Sequence, residues 1–431
     1  MIEKWKFTNY SVSFVLNNGE PKISRKKYQG VSARVFDKSF GFASSNNMSD
    51  NDVVVEKAKK LAKSATGNEN YKIVKKPKEK HFDSIMNAPE YDFEQIMEQL
   101  KELDKPIKNL NSRTLRLISK FTVKEYEDSN GNSLVMEDIF SYFSVIGVAK
   151  SRSIMESWSE REGWLGKINE SKLSKFADKV LKTKEKSEAL LSAEHAPKGK
   201  TTVVLDPEMT GLFTHEAVGH ACEADYILNG SSVLIKPGEK VGSSLVKITD
   251  YPEYPKCFGN IKFDDEGVKC KPVILIDKGI LKNYLHSSMT AGTLGSELTG
   301  NARMEDYDSP PIVRMRNTIL EASDTKNTLK DDEIFDIEKG IYVYGMRGGA
   351  VSPITGSFMF GAKEAYKIEN GELTTHLRDL SLTGNIKQTL HNIEAVGRKI
   401  GTGPGYCGKE GQNVRVSDGG PVTRVKDMVI G

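Results

Sequence analysis

The chain has 431 residues, 38% hydrophobic and 28% charged, which excludes a largely disordered chain, since disorder pairs low hydrophobicity with high net charge. Its 62 basic and 59 acidic residues leave a net charge of +3, too small a surplus for a dedicated nucleic-acid binder, so no direct nucleic-acid partner is expected. No run of about 18 apolar residues is present to span a membrane, the first six residues lack the apolar core of a signal peptide, and four cysteines do not make a disulfide scaffold, so the expectation is a cytoplasmic protein.

Length predicts two or three domains at about 150 residues each. Residues 5–15 alternate apolar and polar side chains and predict a strand, ended by a turn at Asn17, Asn18 and Gly19. Further strands are expected at 30–36 and 40–43. Asn51 and Asp52 are placed to cap a helix through 53–64. Residues 75–80, rich in lysine, read as a solvated connection. A second helix is expected over 91–103, strands over 113–126 and 134–148 joined by a turn at 129–132, and a helix over 171–191. Residues 1–190 therefore read as an N-terminal α/β-type domain of sheets and helices.

Residues 192–200 read as a linker, and from Thr201 onward glycine is frequent. Short strands are expected at 201–205, 273–276, 341–344, 362–368 and 414–416, with helical patterns only at 207–228 and 386–396. Residues 191–431 thus predict a β-rich C-terminal catalytic domain, sandwich-like or barrel-like, and the whole an α+β protein.

The stretch richest in chemistry is Thr214-His215-Glu216-Ala217-Val218-Gly219-His220, which follows a strand and the helix-start signal Asp206-Pro207. The zinc pattern H-E-x-x-H sets two histidines on one helix face. Here the spacing is one residue longer, and a regular helix at about 100° per residue would set the two side chains about 140° apart. A π-bulge absorbs one extra residue per turn, and Gly219 lowers its steric cost, so a bulge or kink is expected at 218–220. The bland alternative is a helix that happens to carry two histidines. A catalytic metal site needs a third ligand, and the cysteines are candidates. Cys407 lies in a glycine-rich run, where the backbone can approach a buried centre. Cys222 is expected to point elsewhere, and Cys257 and Cys270 lack a second C-x-x-C. His286, His376 and His391 show no partner spacing.

Residues 403–410 nearly match the phosphate-loop pattern G-x-x-x-x-G-K-[ST], but Glu410 occupies the hydroxyl position and would repel phosphate. The expected order of elements is also wrong, because that loop runs from strand to helix.

Gly30-Val31-Ser32-Ala33-Arg34-Val35, Gly41-Phe42-Ala43-Ser44, the H-E-x-x-x-H stretch His215–His220, Asp264-Asp265-Glu266-Gly267, Thr299-Gly300-Asn301-Ala302-Arg303, Arg314-Met315-Arg316-Asn317-Thr318, Cys407-Gly408-Lys409-Glu410-Gly411-Gln412 and Ser417-Asp418-Gly419-Gly420-Pro421 together resemble the TldD/PmbA family, and specifically its TldD branch of zinc proteases. The resemblance implies that His215, His220 and Cys407 bind Zn2+ and that Glu216 is the catalytic carboxylate. It implies a peptidase acting on small, unfolded or unstructured polypeptides in a narrow cleft. It implies a dimer, either of two copies or of this chain with a PmbA/TldE-like sister that lacks the H-E-x-x-x-H residues.

On this reading Glu216 is the general base towards zinc-activated water and later delivers the proton to the leaving amine. An extended substrate is expected to add backbone hydrogen bonds to a sheet edge. Asp264, Asp265 and Glu266 either bind the peptide's amino terminus, support a metal ligand, or form an exposed turn. Asn301 and Arg303 either anchor substrate carbonyls and carboxylates or pair with those acids. A competing reading is a metal-stabilised regulatory scaffold that cleaves nothing; such a site needs no general base.

Overall fold

The computed structural model describes residues 1–65, 71–83, 87–322 and 328–431. Alternation in the first strand, β1 (Ile2–Asn17), buries Trp5, Phe7, Phe14 and Leu16. It returns as β2 (Glu20–Asp37) through Asn18 and Gly19, at φ 51° and 86°, the pair of left-handed residues that a two-residue hairpin demands. β3 (Ser39–Ser45), β4 (Lys80–Phe82), β5 (Ser112–Asp128), β6 (Ser133–Ser151) and β7 (Ile154–Leu165) follow. The order is β3-β2-β1-β5-β6-β4, with β7 also on β6. β7 is a strand that the sequence reading did not anticipate: Trp158 is its buried aromatic and most of its other side chains are charged or small.

Helix α1 (Asn51–Ser64) buries Val54, Ala58 and Ala62 against β2. Its N-cap position is Asp50, so the expected caps Asn51 and Asp52 lie inside its first turn. Helix α2 (Phe93–Asp104) is capped by Asp92, which accepts from the Gln95 N–H. The helix expected at 171–191 begins as a 3-10 stretch, Glu170–Phe176, and continues as α3 (Ala177–Leu190). The solvated reading of residues 75–80 needs correction at Lys76. Its side chain is fully buried, and its ammonium lies 2.7 Å from Glu3 Oε1 and 3.2 Å from Asp128 Oδ2. These two buried carboxylates draw the lysine in, since an ammonium leaves water only when paired.

The expected linker contributes strands at both ends, β8 (Glu194–His195) and the start of β9 (Gly199–Leu205). Beyond it come α4 (Pro207–Leu212), α5 (Ala224–Leu228), β10 (Val246–Tyr251), β11 (Val273–Asp277), β12 (Ile280–Leu281), α6 (Ser288–Leu294), β13 (Ala302–Arg303), β14 (Ile312–Val313) and β15 (Asn317–Ala322). The chain closes with β16 (Lys339–Val351), β17 (Ser357–Glu369), β18 (Glu372–Arg378), β19 (Ser381–Asn385), α7 (Ile386–His391), β20 (Ile393–Val396), β21 (Gly401–Lys409), β22 (Gln412–Gly420) and β23 (Thr423–Ile430). The helix expected over 386–396 therefore stops at His391. In β20, Ile393 and Ala395 face inward and Glu394 outward, a period of two that pairs with β23.

Two sheets dominate this half. One runs β12-β11-β10-β15-β22-β21, which leaves β21 at an edge. In the other, β16-β9-β23-β19-β17 closes on itself because β17 also pairs with β16, a barrel among the described residues. The largest apolar core lies between the two, with Val203, Val343 and Leu382 from the barrel and Ile248, Leu275 and Val416 from the open sheet. The helical segment that starts at Pro207 threads this core through Met209, Leu212, Phe213, Ala217 and Val218. The structure thus has the α+β class with a barrel-like C-terminal part.

Candidate metal centre

Asp206 opens that segment as its N-cap. It accepts from Met209 N–H at 2.8 Å, with Pro207 in the first turn. Burial pushes its carboxyl up to about 6. After Leu212 the helix widens: Phe213–Gly219 wind as a π-helix, followed by a 3-10 turn at His220–Cys222. The distortion expected at 218–220 is therefore broader and begins at Phe213. The His220 N–H donates to the His215 carbonyl, so five residues make one turn and the two histidines share a face. Their rings meet edge to face, with centroids 5.2 Å apart. A Cβ at Gly219 would overlap Met315 Sδ, so the glycine lets that side chain pack against the turn.

Cys407 arrives from the edge strand β21, and its Sγ lies 3.4 Å from His220 Nε2. One atom from each of His215, His220 and Cys407 converges within 4.8 Å, and all three side chains are buried. Glu216 differs in exposure: its side chain is 27% exposed, while Oε2 stands 3.9 Å from His220 Nε2.

Electrostatics binds the three together. Burial alone would raise the Cys407 thiol, but the charge of His215 and then His220 pulls it down to about 4. Burial opposes charging His215, yet the neighbouring thiolate lifts it to about 9. His220 is also raised, against burial, chiefly by Glu223. A thiolate between two imidazoles is the donor set of a borderline-soft divalent metal. His215 Nδ1 is buried without a hydrogen-bond partner among the described residues. The convergence, the donor chemistry and this orphaned nitrogen all fit a three-ligand metal ion.

Two residues next to the cluster escaped the sequence reading. Glu223 is fully buried and its Oε2 lies 2.8 Å from His220 Nδ1. Lys409 Nζ lies 3.1 Å from the same oxygen. A carboxylate three residues beyond a histidine was the available signal for the first. Lys409 stood in the near-match to a phosphate loop and in the family-like stretch 407–412, with no role assigned to it; it ends strand β21 and is followed by β22.

The other candidates lie outside this cluster. Asp264, Asp265 and Glu266 are buried, which overturns the exposed-turn reading. Asp264 accepts from the N–H groups of Glu266, Val268 and Ala302. Asp265 meets the Lys124 ammonium at 2.7 Å and the Met304 N–H at 2.8 Å. Glu266 pairs with Arg34 at 2.5 Å and accepts from the Ser288 N–H. Asn301 donates to Asp250 Oδ2 and to the Arg314 carbonyl, both at 3.0 Å. Arg303 donates to the carbonyls of Met315 and Arg415. Asp265 and Arg303 also line a cleft of about 480 Å³ between β6 and the segment around Phe263. Cys222, Cys257 and Cys270 are free thiols, none of them in the metal-ligand cluster.

Residues 198–431 match the family model for the PmbA/TldA metallopeptidase C-terminal domain, and residues 8–68 match that for domain 1. A metalloprotease of Methanocaldococcus jannaschii is 37% identical over 96% of this chain and 93% of its own length. A zinc metalloprotease TldD homolog of Saccharolobus solfataricus is 30% identical over 95% of this chain and 91% of its own. The crystal structure of TldE from Thermococcus kodakarensis shares the fold, with a TM-score of 0.75 at 19% identity over 100% of this chain and 96% of that one. A Thermotoga maritima structure does so with a TM-score of 0.79 at 20% identity, over 100% of this chain and 96% of that one. With near-full-length relatives named as metalloproteases and a family match over its C-terminal half, this chain is a metallopeptidase and belongs to the PmbA/TldD family.

Proposed function

We propose that this metallopeptidase is zinc-dependent and hydrolyses peptide bonds in small, unfolded or unstructured polypeptides. The observation that carries the reading is the convergence of His215, His220 and Cys407 within 4.8 Å, beside a partly exposed glutamate. The thiolate favours zinc over harder divalent ions. Zinc held there supplies Lewis acidity, which polarises a scissile carbonyl and acidifies water. Glu216, on the solvent side of the ligands, takes the proton of the attacking water and later returns it to the leaving nitrogen.

The position of β21, the strand that carries Cys407, at the end of its sheet supports an extended substrate docked by backbone hydrogen bonds beyond the Cys407 carbonyl, which accepts from Arg314. Such docking reads a chain with little regard to its side chains and admits only segments that can unfold against the edge. Residues 1–190 and 191–431 are proposed as two units, since each sheet draws its strands from one side of that boundary. The likeness to a TldE fold supports pairing with a PmbA/TldE-like subunit or a second copy of this chain. Cytoplasmic residence accords with the absence, among the described residues, of any helix long and apolar enough to cross a membrane.

The test is zinc content, measured by elemental analysis after gel filtration, followed by peptide cleavage. Wild type is expected to hold about one zinc per chain and Cys407→Ser to lose most of it. Glu216→Gln is expected to keep the metal and lose cleavage by at least about 100-fold. Cleavage near wild type in Glu216→Gln removes Glu216 as the base. Zinc-loaded wild type that cleaves no unstructured peptide favours the scaffold reading.

A further inference from the structure

A histidine serves a metal with one nitrogen, and the hydrogen bond at the other nitrogen fixes which one is free. His220 Nε2 faces Cys407 Sγ at 3.4 Å and Glu216 at 3.9 Å, so Nδ1 is the nitrogen turned away from the cluster. Glu223 Oε2 meets Nδ1 at 2.8 Å. The main chain makes this contact by leaving the helix: Glu223 is extended, at φ −74° and ψ 120°, and its N–H still donates to the His220 carbonyl. Its carboxylate has no exposure to solvent, and among the described residues it has no backbone donor and Oε1 has no partner. A carboxylate so buried persists only beside cations.

Lys409 supplies such a cation, 2% exposed and 3.1 Å from the same Oε2. Lys409 stands two residues beyond Cys407 on β21, so both side chains project from the same face of the strand. Its ammonium also meets Asp225 Oδ2 at 2.6 Å and the Val313 carbonyl at 3.1 Å, and it lies over the Tyr226 ring. One side chain from the cysteine's strand therefore grips the carboxylate that orients the histidine. The ligands of two distant segments are joined by an ion pair as well as by the metal.

We infer that Glu223, clamped by Lys409, is the positioning residue that aims His220 Nε2 at the metal and ties His220 to the Cys407 strand. The inference rests on the metal centre proposed above. The near-phosphate-loop lysine thereby gains a role unrelated to phosphate: it is committed to two carboxylates.

The test titrates metal-free protein with zinc against a chromophoric chelator, and follows cobalt-substituted protein by its absorption spectrum. In Glu223→Gln the volume is kept and Lys409 retains Asp225 and the Val313 carbonyl, so the fold is preserved; circular dichroism of the metal-free form checks this. Zinc affinity is expected to fall about 10-fold in Glu223→Gln and up to about 100-fold in Glu223→Ala. The cobalt spectrum of Glu223→Gln is expected to shift as His220 turns. Lys409→Met, which leaves the Glu223–His220 contact in place, should fall between wild type and Glu223→Ala. Should Glu223→Ala not fold, Glu223→Gln decides alone. A folded Glu223→Gln with zinc affinity within about two-fold of wild type and an unchanged cobalt spectrum overturns the assignment. Wild type that binds no zinc overturns the metal centre itself, a separate failure.

Discussion

His286 shows what burial does to a histidine without a charged partner. It is 3% exposed, its Nδ1 lies 3.2 Å from Thr290 Oγ1, and its N–H donates to Thr299 Oγ1. Burial alone pulls its pKa from 6.5 down to about 4. The unfolded chain takes up this proton as pH falls through 6.5, whereas the folded protein does so only near pH 4. Stability is therefore lost on acidification across that window, by about 3 kcal/mol from this one group. Urea unfolding of metal-free protein at pH 7.0 and pH 4.5 measures it, as roughly the gap that His286→Gln removes. Equal pH slopes in wild type and variant would show that His286 contributes nothing. Histidine spacing separated the roles in advance only in part. His215 and His220 announced themselves by sharing a glutamate and a six-residue window, while Cys407, 187 positions from His220, was offered by its glycine-rich run and joined to them through a resemblance. Glu223 offered only its three-residue distance from His220, and Lys409 offered none, because an ion pair across two elements has no characteristic spacing.

The helical segment from Pro207 to Cys222 works because three backbone geometries follow one another on one axis. Its first turns must lie close against β22. At Gly211 a Cβ would stand 2.6 Å from Asp418 Oδ1 and 2.8 Å from the Gly419 backbone N. The backbone contact cannot yield as a flexible side chain would, so Gly211→Ala forces α4 away from the sheet. An overpacked core of this kind costs about 1–3 kcal/mol. The urea midpoint of Gly211→Ala is expected to fall accordingly. Gly403→Ala, on β21 with nothing within 4 Å of the added carbon, is the matched control and should leave the midpoint near wild type. An unchanged midpoint in Gly211→Ala would mean that α4 is free to move. The π-turn was legible because the histidine spacing made a regular helix unable to join its own ligands. Strand β7 was not, because its charged side chains are buried or half-buried in ion pairs while Met155 and Leu165 are exposed, which blurs the period-two pattern. The end of α7 was missed for a related reason: Ile386 to Val396 holds apolar residues at both helical and alternating spacing, and only pairing with β23 decides between them.

The whole molecule hangs its first sheet on the rest through charges that no composition count reveals. Arg34 on β2 lies 2.5 Å from Glu3 on one side and 2.5 Å from Glu266 on the other. Lys76 joins Glu3 and Asp128 and donates to the Glu266 carbonyl at 2.8 Å. Trp5 Nε1 donates to the Asp265 carbonyl at 2.6 Å, and Lys124 pairs with the Asp265 carboxylate. Acidic residues that read as a candidate substrate site in sequence thus have their oxygens satisfied by cations and N–H groups of the protein itself. A near-neutral total of +3 concealed a buried knot of both signs. The linkage has a thermodynamic consequence. If the N-terminal sheet melted by itself, Glu266 would lose its ion pair with Arg34 and its carbonyl would lose Lys76, together with the other contacts of the knot. The two halves should therefore unfold as one cooperative unit, with calorimetric and van't Hoff enthalpies in agreement. Lys76→Met removes the ammonium between Glu3 and Asp128, leaving, among the described residues, Glu3 with Arg34 as its one cation and Asp128 with none. The loss expected is about 3–5 kcal/mol, the range for breaking one side of a buried ion pair. Differential scanning calorimetry measures both effects. Two separated transitions in wild type, or a Lys76→Met transition at the wild-type temperature, would mean that the knot does not couple the halves.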